Sequence, residues 1–304
     1  MPLRFLADRQ LYSDYRYYCD TFRWEAAPDT ARLLRFHGYW AGTLDEHHEL
    51  CLKSLLLTQS PPRELWVWMP PADLARNHAF IASFDAVPGI AFKAYVMARE
   101  AGATLLSPHL GDVERRLSPR ATSDVVRLVL LAKYGGVYFD FDNLFLRDLR
   151  PLCDAPFVYQ WSNQPFATNA VSYFPQDSET ITAMCLRCLD RGSSHPRDLL
   201  RFEDADRLPG DTLVLPSFVF DPIWIPRDLG LRVTAYCNTF DDFFNPFTDG
   251  EPPTLAEFFP HSYCYDWHRQ WDRPILPGTI AGALHAEITA AFDARFAIDA
   301  GGRS

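Results

Sequence analysis

Residues 118–148 read SPRATSDVVRLVLLAKYGGVYFDFDNLFLRD, and this stretch decides the fold of the chain. Ser118 is a good helix N-cap, and the apolar residues that follow it have the spacing of a largely buried helix. Gly135 and Gly136 predict the end of that helix, because glycine readily adopts the left-handed conformation that closes helices. The apolar residues after the glycines predict a short strand.

Asp140 and Asp142 lie on this predicted strand and are separated by one residue. Because side chains alternate between the two faces of a strand, both carboxylates are expected on one face, with Phe139 and Phe141 on the other. Two convergent carboxylates are hard oxygen ligands that suit Mg²⁺ or Mn²⁺. The pair therefore predicts a site for a divalent cation that carries a diphosphate, which is typical of enzymes that use sugar nucleotides.

The helix before the strand carries a second pair of charged residues. Asp124 and Arg127 are three residues apart, so they share one face of the helix. On their own they are compatible with an exposed ion pair, which is common on helix surfaces. Their helix leads directly to the aspartate pair, however, and this favours a role in the same site.

The string S-D-x-x-R followed by G-G-x-Y-x-D-x-D resembles the signature of DXD-containing retaining glycosyltransferases of the GT-A fold. It is similar to that of the family-32 sugar transferases, whose core is shared with α-1,4-glycosyltransferases and the clostridial glucosylating toxins. The resemblance implies that Asp124, Arg127 and Asp140 are catalytic residues that contact the donor sugar, with Tyr138 also in the donor site. It further implies that Asp140 and Asp142 hold Mn²⁺ (or Mg²⁺) on the diphosphate of a nucleotide sugar, with UDP-sugars favoured.

A second segment upstream resembles the opening strand of the same family. Phe36, His37, Trp40 and Gly42 match the pattern I-H-x-x-W-x-G in register. The resemblance implies that this strand contributes to donor binding through Phe36, His37 and Trp40, and that the aromatic residue at its end packs on the nucleotide base. Ordinary core packing is the alternative for Trp40. Its place at the carboxyl end of the first strand, where open α/β sheets bind ligands, favours the stacking role.

Near the C-terminus, the segment 263–271 (YCYDWHRQW) only partly follows the family pattern H-x-W-x-x-S-W. Trp267 and Trp271 keep the spacing of four and are expected at the donor site. The position that holds histidine in relatives is occupied here by Tyr265 or Asp266. We expect Asp266 to be the third metal ligand, because a carboxylate suits a hard cation. His268 and His261 are further candidates, and a packed aromatic loop with a solvated aspartate is the other interpretation.

The pattern along the rest of the chain predicts an α/β protein with a Rossmann-like, largely parallel mixed sheet flanked by helices. Helices are expected at 45–59, 71–78, 118–134, 178–191 and 280–296. Strands are expected at 33–40, 64–69, 136–142, 157–161, 169–174, 211–216 and 231–236, and 91–99 carries both signals. We predict an N-terminal extension over 1–30, whose residues 4–24 suggest a helical lid or an oligomer contact. A single GT-A domain over 31–304 follows, with a disordered end at 301–304.

Composition narrows the function classes. The chain has 304 residues, a net charge of −10 and a pI near 5.3, which argues against a nucleic-acid partner. We expect no signal peptide and no membrane span, and the odd, scattered set of seven cysteines fits a reducing cytoplasm. A bacterial cytoplasmic location is therefore expected, with a secreted effector as the alternative. Cys185 and Cys188 are expected in the core, and the His47–His48 pair is expected on the surface.

Together these features predict a hexosyl- or N-acetylhexosaminyltransferase that acts on a glycan, a lipid-linked glycan or a protein, for example in polysaccharide biosynthesis. No residue is evident as a covalent nucleophile, so we expect the acceptor to attack from the face that the diphosphate leaves.

Two alternative functions stay open. One is a degenerate member of the fold that binds nucleotide sugar or glycan without turnover. The other is a sugar nucleotidyltransferase, which usually has a glycine-rich phosphate loop after the first strand, where this chain has only Gly38 and Gly42. The oligomeric state is not indicated.

Overall fold

The structure is a computed structural model, and it describes residues 4–5, 29–102, 104–109, 111, 119–203, 212–229, 236–247 and 250–296. Four predictions fall wholly or mostly outside these ranges: the lid over 4–24, the Ser118 cap, the strand over 231–236 and the disordered end at 301–304. The domain boundary at residue 30 stays a prediction. Within the described residues, no helix has both the length and the apolar composition needed to cross a membrane.

The centre of the molecule is an eight-stranded sheet. Its strands are β1 (Arg4–Phe5), β2 (Leu34–Tyr39), β3 (Arg63–Met69), β4 (Ile90–Ala94), β5 (Gly136–Phe139), β7 (Phe157–Gln160), β8 (Ala167–Phe174) and β9 (Leu213–Leu215). They are ordered β1-β9-β7-β8-β5-β2-β3-β4, and all pairs are parallel except those that β8 forms with β5 and β7. The predicted class, α/β with a largely parallel sheet, is confirmed.

A separate two-stranded antiparallel ribbon is formed by β6 (Asn143–Phe145) and β10 (Cys264–Asp266). Its register pairs Asn143 with Asp266. Because β6 begins directly after Asp142, this pairing brings the aspartate motif next to the C-terminal segment. Two parts of the chain that are far apart in sequence are thereby joined at the edge of the sheet.

Helices cover both faces of the large sheet. They are α1 (Glu46–Thr58), α2 (Pro71–Arg76), α3 (His78–Ala82), α4 (Met97–Ala101), α5 (Pro119–Tyr134), α6 (Glu179–Arg191), α7 (Pro196–Leu199), α8 (Trp224–Leu229) and α9 (Ile280–Phe296). The apolar side of α1 packs with α9 in one core cluster, and α5 packs with α6 in the other. Buried Cys185 and Cys188 belong to the second cluster, as predicted.

The segment 91–99, which carried both signals in the sequence, contains both kinds of element. Strand β4 ends at Ala94, and helix α4 begins at Met97. The mixed signal arose because one short window spans a strand, a two-residue connection and a helix.

The aspartate pair is displaced from its predicted position. Strand β5 ends at Phe139, so Asp140 and Asp142 lie in the turn that follows it and not on the strand. Phe139 and Phe141 are nevertheless in the core, as expected, at 0% and 2% exposure. The alternation of the strand thus continues past its last ladder bond and keeps both carboxylates away from the core.

Gly135 and Gly136 connect α5 to β5 in a conformation that needs glycine. Their φ angles are 60° and 100°. A Cβ on Gly135 would lie 2.3 Å from the backbone nitrogen of Gln176, and one on Gly136 would lie 2.3 Å from the carbonyl oxygen of Arg35. The two glycines therefore let the helix turn into the centre of the sheet while neighbouring backbones stay close.

We expect Gly136→Ala to lower the free energy of unfolding by about 2–4 kcal/mol, from left-handed strain and the backbone clash together. Gly278 is the matched control, because its φ is 83° but a Cβ there would meet nothing within 4 Å. Gly278→Ala should show only the strain, about 1 kcal/mol. Urea unfolding of both variants measures the difference. Equal losses would contradict the conclusion that close backbone packing requires Gly136.

Candidate active site

A cavity of about 530 Å³ opens at the carboxyl ends of β2 and β5. This is the edge at which ligands bind in open α/β sheets. Seven of the residues predicted for the site line the cavity: Trp40, Asp124, Arg127, Asp140, Asp142, Asp266 and Trp271. The N-terminal motif, the aspartate pair and the C-terminal segment are thus brought to one place.

Arg127 forms the floor of one half of the cavity. It projects from α5 and its side chain is 4% exposed. One terminal nitrogen donates to both carboxylate oxygens of Asp140, at 2.7 and 2.8 Å, and the other donates to the side-chain oxygen of Asn169 on β8. The guanidinium also lies over the ring of Tyr138, 4.7 Å from its centroid. The arginine is therefore fixed by partners on three different elements.

The charge of Arg127 is stabilised by its neighbours. Burial acts to lower its pKa, but the carboxylates of Asp140 and Asp124 and the ring of Tyr138 more than compensate and raise it. Asp124 is the weaker partner, with 3.9 Å between its carboxylate and the guanidinium. The exposed i,i+3 pair considered from the sequence is therefore not what the structure contains. Arg127 is buried and pairs mainly with Asp140.

The other half of the cavity is strongly acidic. Asp142 and Asp266 are each 8% exposed, and Asp221, which lies behind them, is fully buried. His268 accompanies these carboxylates, with 2.9 Å between its Nε2 and a carboxylate oxygen of Asp221. Three buried carboxylates thus share one neighbouring imidazole.

The pKa values of all four side chains are shifted from their ordinary values. Burial raises the pKa of Asp142 to about 6, with a further contribution from Asp140, and His268 opposes it. Burial also raises the pKa of Asp266 and of Asp221. For His268, burial acts to lower the pKa, but Asp221 and Asp266 outweigh it and raise the value to about 9.

The backbone after β10 holds the acidic group in place. The amide of Trp267 donates to the carbonyl of Asp142 at 3.0 Å, and the amide of Arg269 donates to its carboxylate at 3.2 Å. The amide of His268 donates to the carboxylate of Asp266 at 2.7 Å. His268 and Arg269 have φ angles of 53° and 61°, in the left-handed region. Uncommon backbone conformations of this kind occur often where a site is held in a defined geometry.

The donor set fits a divalent cation. One ligand atom each from Asp221, Asp266 and His268 lie within 4.8 Å of one another, and Asp142 interacts electrostatically with Asp266. Carboxylate oxygens with one imidazole are suitable ligands for Mn²⁺ or Mg²⁺, and a cation would neutralise the excess negative charge. Both oxygens of Asp140 are engaged by Arg127, and its roles as a metal ligand and beside the donor sugar stay predictions.

An aromatic wall closes the side of the cavity opposite Arg127. The ring centroids of Trp40 and Trp271 are 4.8 Å apart, and His48 stacks on Trp271 at 4.9 Å and 21°. The prediction that His47 and His48 lie on the surface was wrong, because they are only 4% and 1% exposed. Nδ1 of His48 accepts a hydrogen bond from the amide of Asp45, whose carboxylate caps α1. A capping box combined with aromatic packing thus draws both imidazoles inward.

Four residues predicted for donor binding are not among those that line the cavity: Phe36, His37, Tyr138 and Trp267, each 0% exposed. The ring of His37 bonds to the carbonyl of Gly135 at 3.0 Å and accepts from the indole of Trp68 at 3.1 Å. Burial lowers the pKa of His37 to about 3, so it is neutral. These residues support the site from behind, and direct contact with the donor stays a prediction for them.

Several cavity residues were not identified from the sequence. They include Tyr159, Trp161 and His195. Two residues that contact the site from outside the cavity lining, Asn169 and Asp221, were also not identified. Asp221 follows a short 3-10 turn at Ser217–Val219 and belongs to no recognisable motif. Their contribution depends on tertiary contacts, which one sequence does not reveal.

Residues 45–159 match the family model described as "Glycosyltransferase sugar-binding region containing DXD motif". Among curated proteins, none matches the chain. Among solved structures, the glycosyltransferase GlyE of Streptococcus pneumoniae TIGR4 superposes with a TM-score of 0.51 and 11% identity, over 88% of this chain and 64% of that chain. PaToxG glycosyltransferase gives 0.47 and 13%, over 74% and 88%, and an active-site mutant of LgtC gives 0.45 and 13%, over 84% and 95%.

The resemblance seen in the sequence is thus confirmed: residues 45–159 match a family model of the DXD-containing sugar-binding region, and the fold is of the GT-A type.

The raised pKa of Asp142 predicts a pH-dependent stability difference without metal. The unfolded carboxyl ionises near its ordinary value of 3.8, whereas the folded one keeps its proton until about pH 6. The folded state therefore holds more protons over this interval, and stability falls as pH rises through it. In EDTA, Asp142→Asn should gain about 1–3 kcal/mol relative to the wild type between pH 4 and pH 6. Urea unfolding at four pH values measures this.

Asp293→Asn, at an exposed position on α9, is the control and should show no such gain. A constant difference between Asp142→Asn and the wild type from pH 4 to pH 7 would contradict the assignment of a strained buried carboxylate.

Proposed function

We propose that the protein is a metal-dependent, retaining glycosyltransferase that moves a hexosyl or N-acetylhexosaminyl group from a nucleotide sugar, preferably a UDP-sugar, to a hydroxyl group of a glycan, a lipid-linked glycan or a protein. One observation carries the proposal. The Arg127–Asp140 pair and the buried acidic group of Asp142 and Asp266 face the same cavity. A nucleotide sugar has a polyhydroxyl ring and a diphosphate side by side, and these two halves suit its two parts.

The acidic half suits the diphosphate. In the proposal Asp142 and Asp266 hold Mn²⁺ or Mg²⁺, with His268 and Asp221 beside them. Such a cation, when bound, neutralises the charge that develops on the departing diphosphate. The backbone amides that fix Asp142 and Asp266 position these carboxylates before any ligand arrives, so little reorganisation accompanies the reaction.

The other half suits the sugar and the base. The carboxylates of Asp124 and Asp140 accept hydrogen bonds from sugar hydroxyls, and Arg127 holds Asp140 in the required orientation. Trp40 offers an indole face to the base at the edge of the cavity. Because both ends of the donor are held, the anomeric carbon is fixed between them, and positioning supplies much of the acceleration.

The transfer itself needs no enzyme nucleophile. The acceptor oxygen forms a bond to the anomeric carbon as the bond from that carbon to the diphosphate oxygen breaks. The proton of the acceptor hydroxyl passes to the departing diphosphate on the same face of the sugar. Configuration is therefore retained, and atoms and charges balance without a covalent intermediate. Water in place of the acceptor gives hydrolysis of the donor.

Release of UDP or GDP from a panel of sugar nucleotides, in Mn²⁺ or in EDTA, tests the proposal. We expect Mn²⁺-dependent release from one donor and a loss of about 100-fold or more in Asp142→Asn, because a ligand to the charge-neutralising cation is removed. Asp293→Asn should retain wild-type rates. Wild-type turnover by Asp142→Asn would overturn the mechanism. Tight Mn²⁺-dependent binding of UDP without turnover of any donor would instead identify a non-catalytic binder.

A second prediction concerns Trp40. Trp40→Ala should raise the Kd for UDP in the presence of Mn²⁺ by about tenfold, since stacking of a base on an aromatic ring contributes roughly 1–3 kcal/mol. Trp40→Phe keeps a flat ring and should retain most of the affinity. Isothermal titration calorimetry measures both. If Trp40→Ala binds UDP as the wild type does, the residue serves only to pack against Trp271 and His48.

A further inference from the structure

A second cavity of about 500 Å³ adjoins the first, and we refer to it as the acceptor groove. Trp161 and His195 line both cavities, so the two are continuous. In the proposed function, the nucleotide sugar occupies the first cavity. A saccharide in the acceptor groove would therefore approach the reacting carbon from the side of Trp161.

The inner wall of the acceptor groove is aromatic. Trp161 follows the end of β7, and Trp224 begins α8. Their ring centroids are 6.0 Å apart and their planes are nearly perpendicular, at 81°. Rings with an apolar face and a polar edge are suitable for packing against the carbon-bound hydrogens of a sugar.

The rim of the acceptor groove carries an arginine with a fixed side chain. The guanidinium of Arg227 lies 4.6 Å from the ring centroid of Trp224 and 4.7 Å from that of Phe240. Stacking on two rings orients the planar guanidinium while Arg227 stays exposed. Among the described residues, Arg227 forms no ion pair. A stacked guanidinium of this kind is pre-organised to bind a carboxylate or a phosphate with two hydrogen bonds.

Arginines predominate among the charged residues that line the acceptor groove. Arg197 also lines it, with a side chain that is 62% exposed and lies 3.9 Å from the carboxylate of Asp198. The one acid among the described lining residues is Asp228, which accepts a hydrogen bond from the hydroxyl of Ser162. The lining thus has two arginines and one carboxylate that is already hydrogen-bonded, on a chain whose net charge is −10.

We propose that the acceptor groove binds the acceptor and that this acceptor is a saccharide with an anionic group, a carboxylate or a phosphate, which pairs with Arg227 and Arg197. The inference that the bound saccharide is an acceptor rests on the proposed transferase function. The groove's preference for acidic saccharides rests only on its own residues. A locally basic rim on an acidic protein gives selectivity, since acidic glycans are repelled elsewhere on the surface.

Matched pairs of saccharides test the proposal by calorimetry, with UDP and Mn²⁺ present to occupy the first cavity. One pair is cellobiouronic acid and cellobiose, and the other is glucose 1-phosphate and methyl glucoside. We expect the acidic member of at least one pair to bind about tenfold tighter than the neutral member, because a charge-assisted bidentate contact is added. The pair that shows the difference tells a carboxylated acceptor from a phosphorylated one.

Arg227→Ala should abolish the difference within the pair, and Arg227→Lys should keep part of it. Arg295→Ala is the matched control, because Arg295 is also exposed and stacked on a ring, 5.6 Å from the centroid of Phe296, but lines neither cavity. That variant should keep the full difference. Equal binding within both pairs, absence of binding by all four probes, or a preference that survives Arg227→Ala would each overturn the proposal.

These outcomes are separate from those for the proposed function. Mn²⁺-dependent release of nucleotide, together with equal binding within both pairs, would leave the transferase and remove the acidic acceptor. An Arg227-dependent preference without release from any donor would leave a binding site for acidic saccharides and remove the transferase.

Discussion

The guanidinium of Arg127 is a buried cation, and a buried charge is tolerated only where its partners are fixed around it. Those partners come from three elements: Asp140 from the turn after β5, Asn169 from β8 and Tyr138 from β5 itself. The register between α5 and the sheet must therefore be correct for the charge to be paired. The glycines between α5 and β5 set that register, because their backbone passes close to neighbouring backbones. In this way a turn that only glycine accommodates determines the geometry of the site.

The same pairing explains why the acidic half of the cavity is left with excess negative charge. Arg127 is neutralised by Asp140, so it contributes little to Asp142 and Asp266. Burial raises the pKa values of the three carboxylates, and His268, the one imidazole beside them, opposes this rise without reversing it. In one half of the cavity the charges are paired, and in the other half negative charge is in excess. A ligand that brings a cation and hydroxyl groups together suits both halves.

Much of this was predictable from the sequence, because the informative residues are close together along the chain. Apolar periodicity predicted α1, α5, α6 and α9, since helix faces repeat within a few residues. The spacing of Asp124, Arg127, Asp140 and Asp142 predicted a common site, and all four line it. What was missed depends on contacts across the chain. His48 is buried because Trp271 stacks on it, and Asp221 reaches the site through His268. The departure of the aspartates from the ladder depends on where the pairing with β8 ends, and local pattern does not encode this.

The pairing of β6 with β10 has a consequence for how the chain is held together. Asp142 and Asp266 lie on opposite sides of a long intervening segment, and the ribbon brings them together at its end. A cation shared between them would act as a removable cross-link that closes this loop. The unfolded chain would have to lose much entropy to bring these residues together, since that cost grows with loop length, so the cation would bind the folded chain and stabilise it by mass action. The stability of the folded chain would then depend on the concentration of free cation.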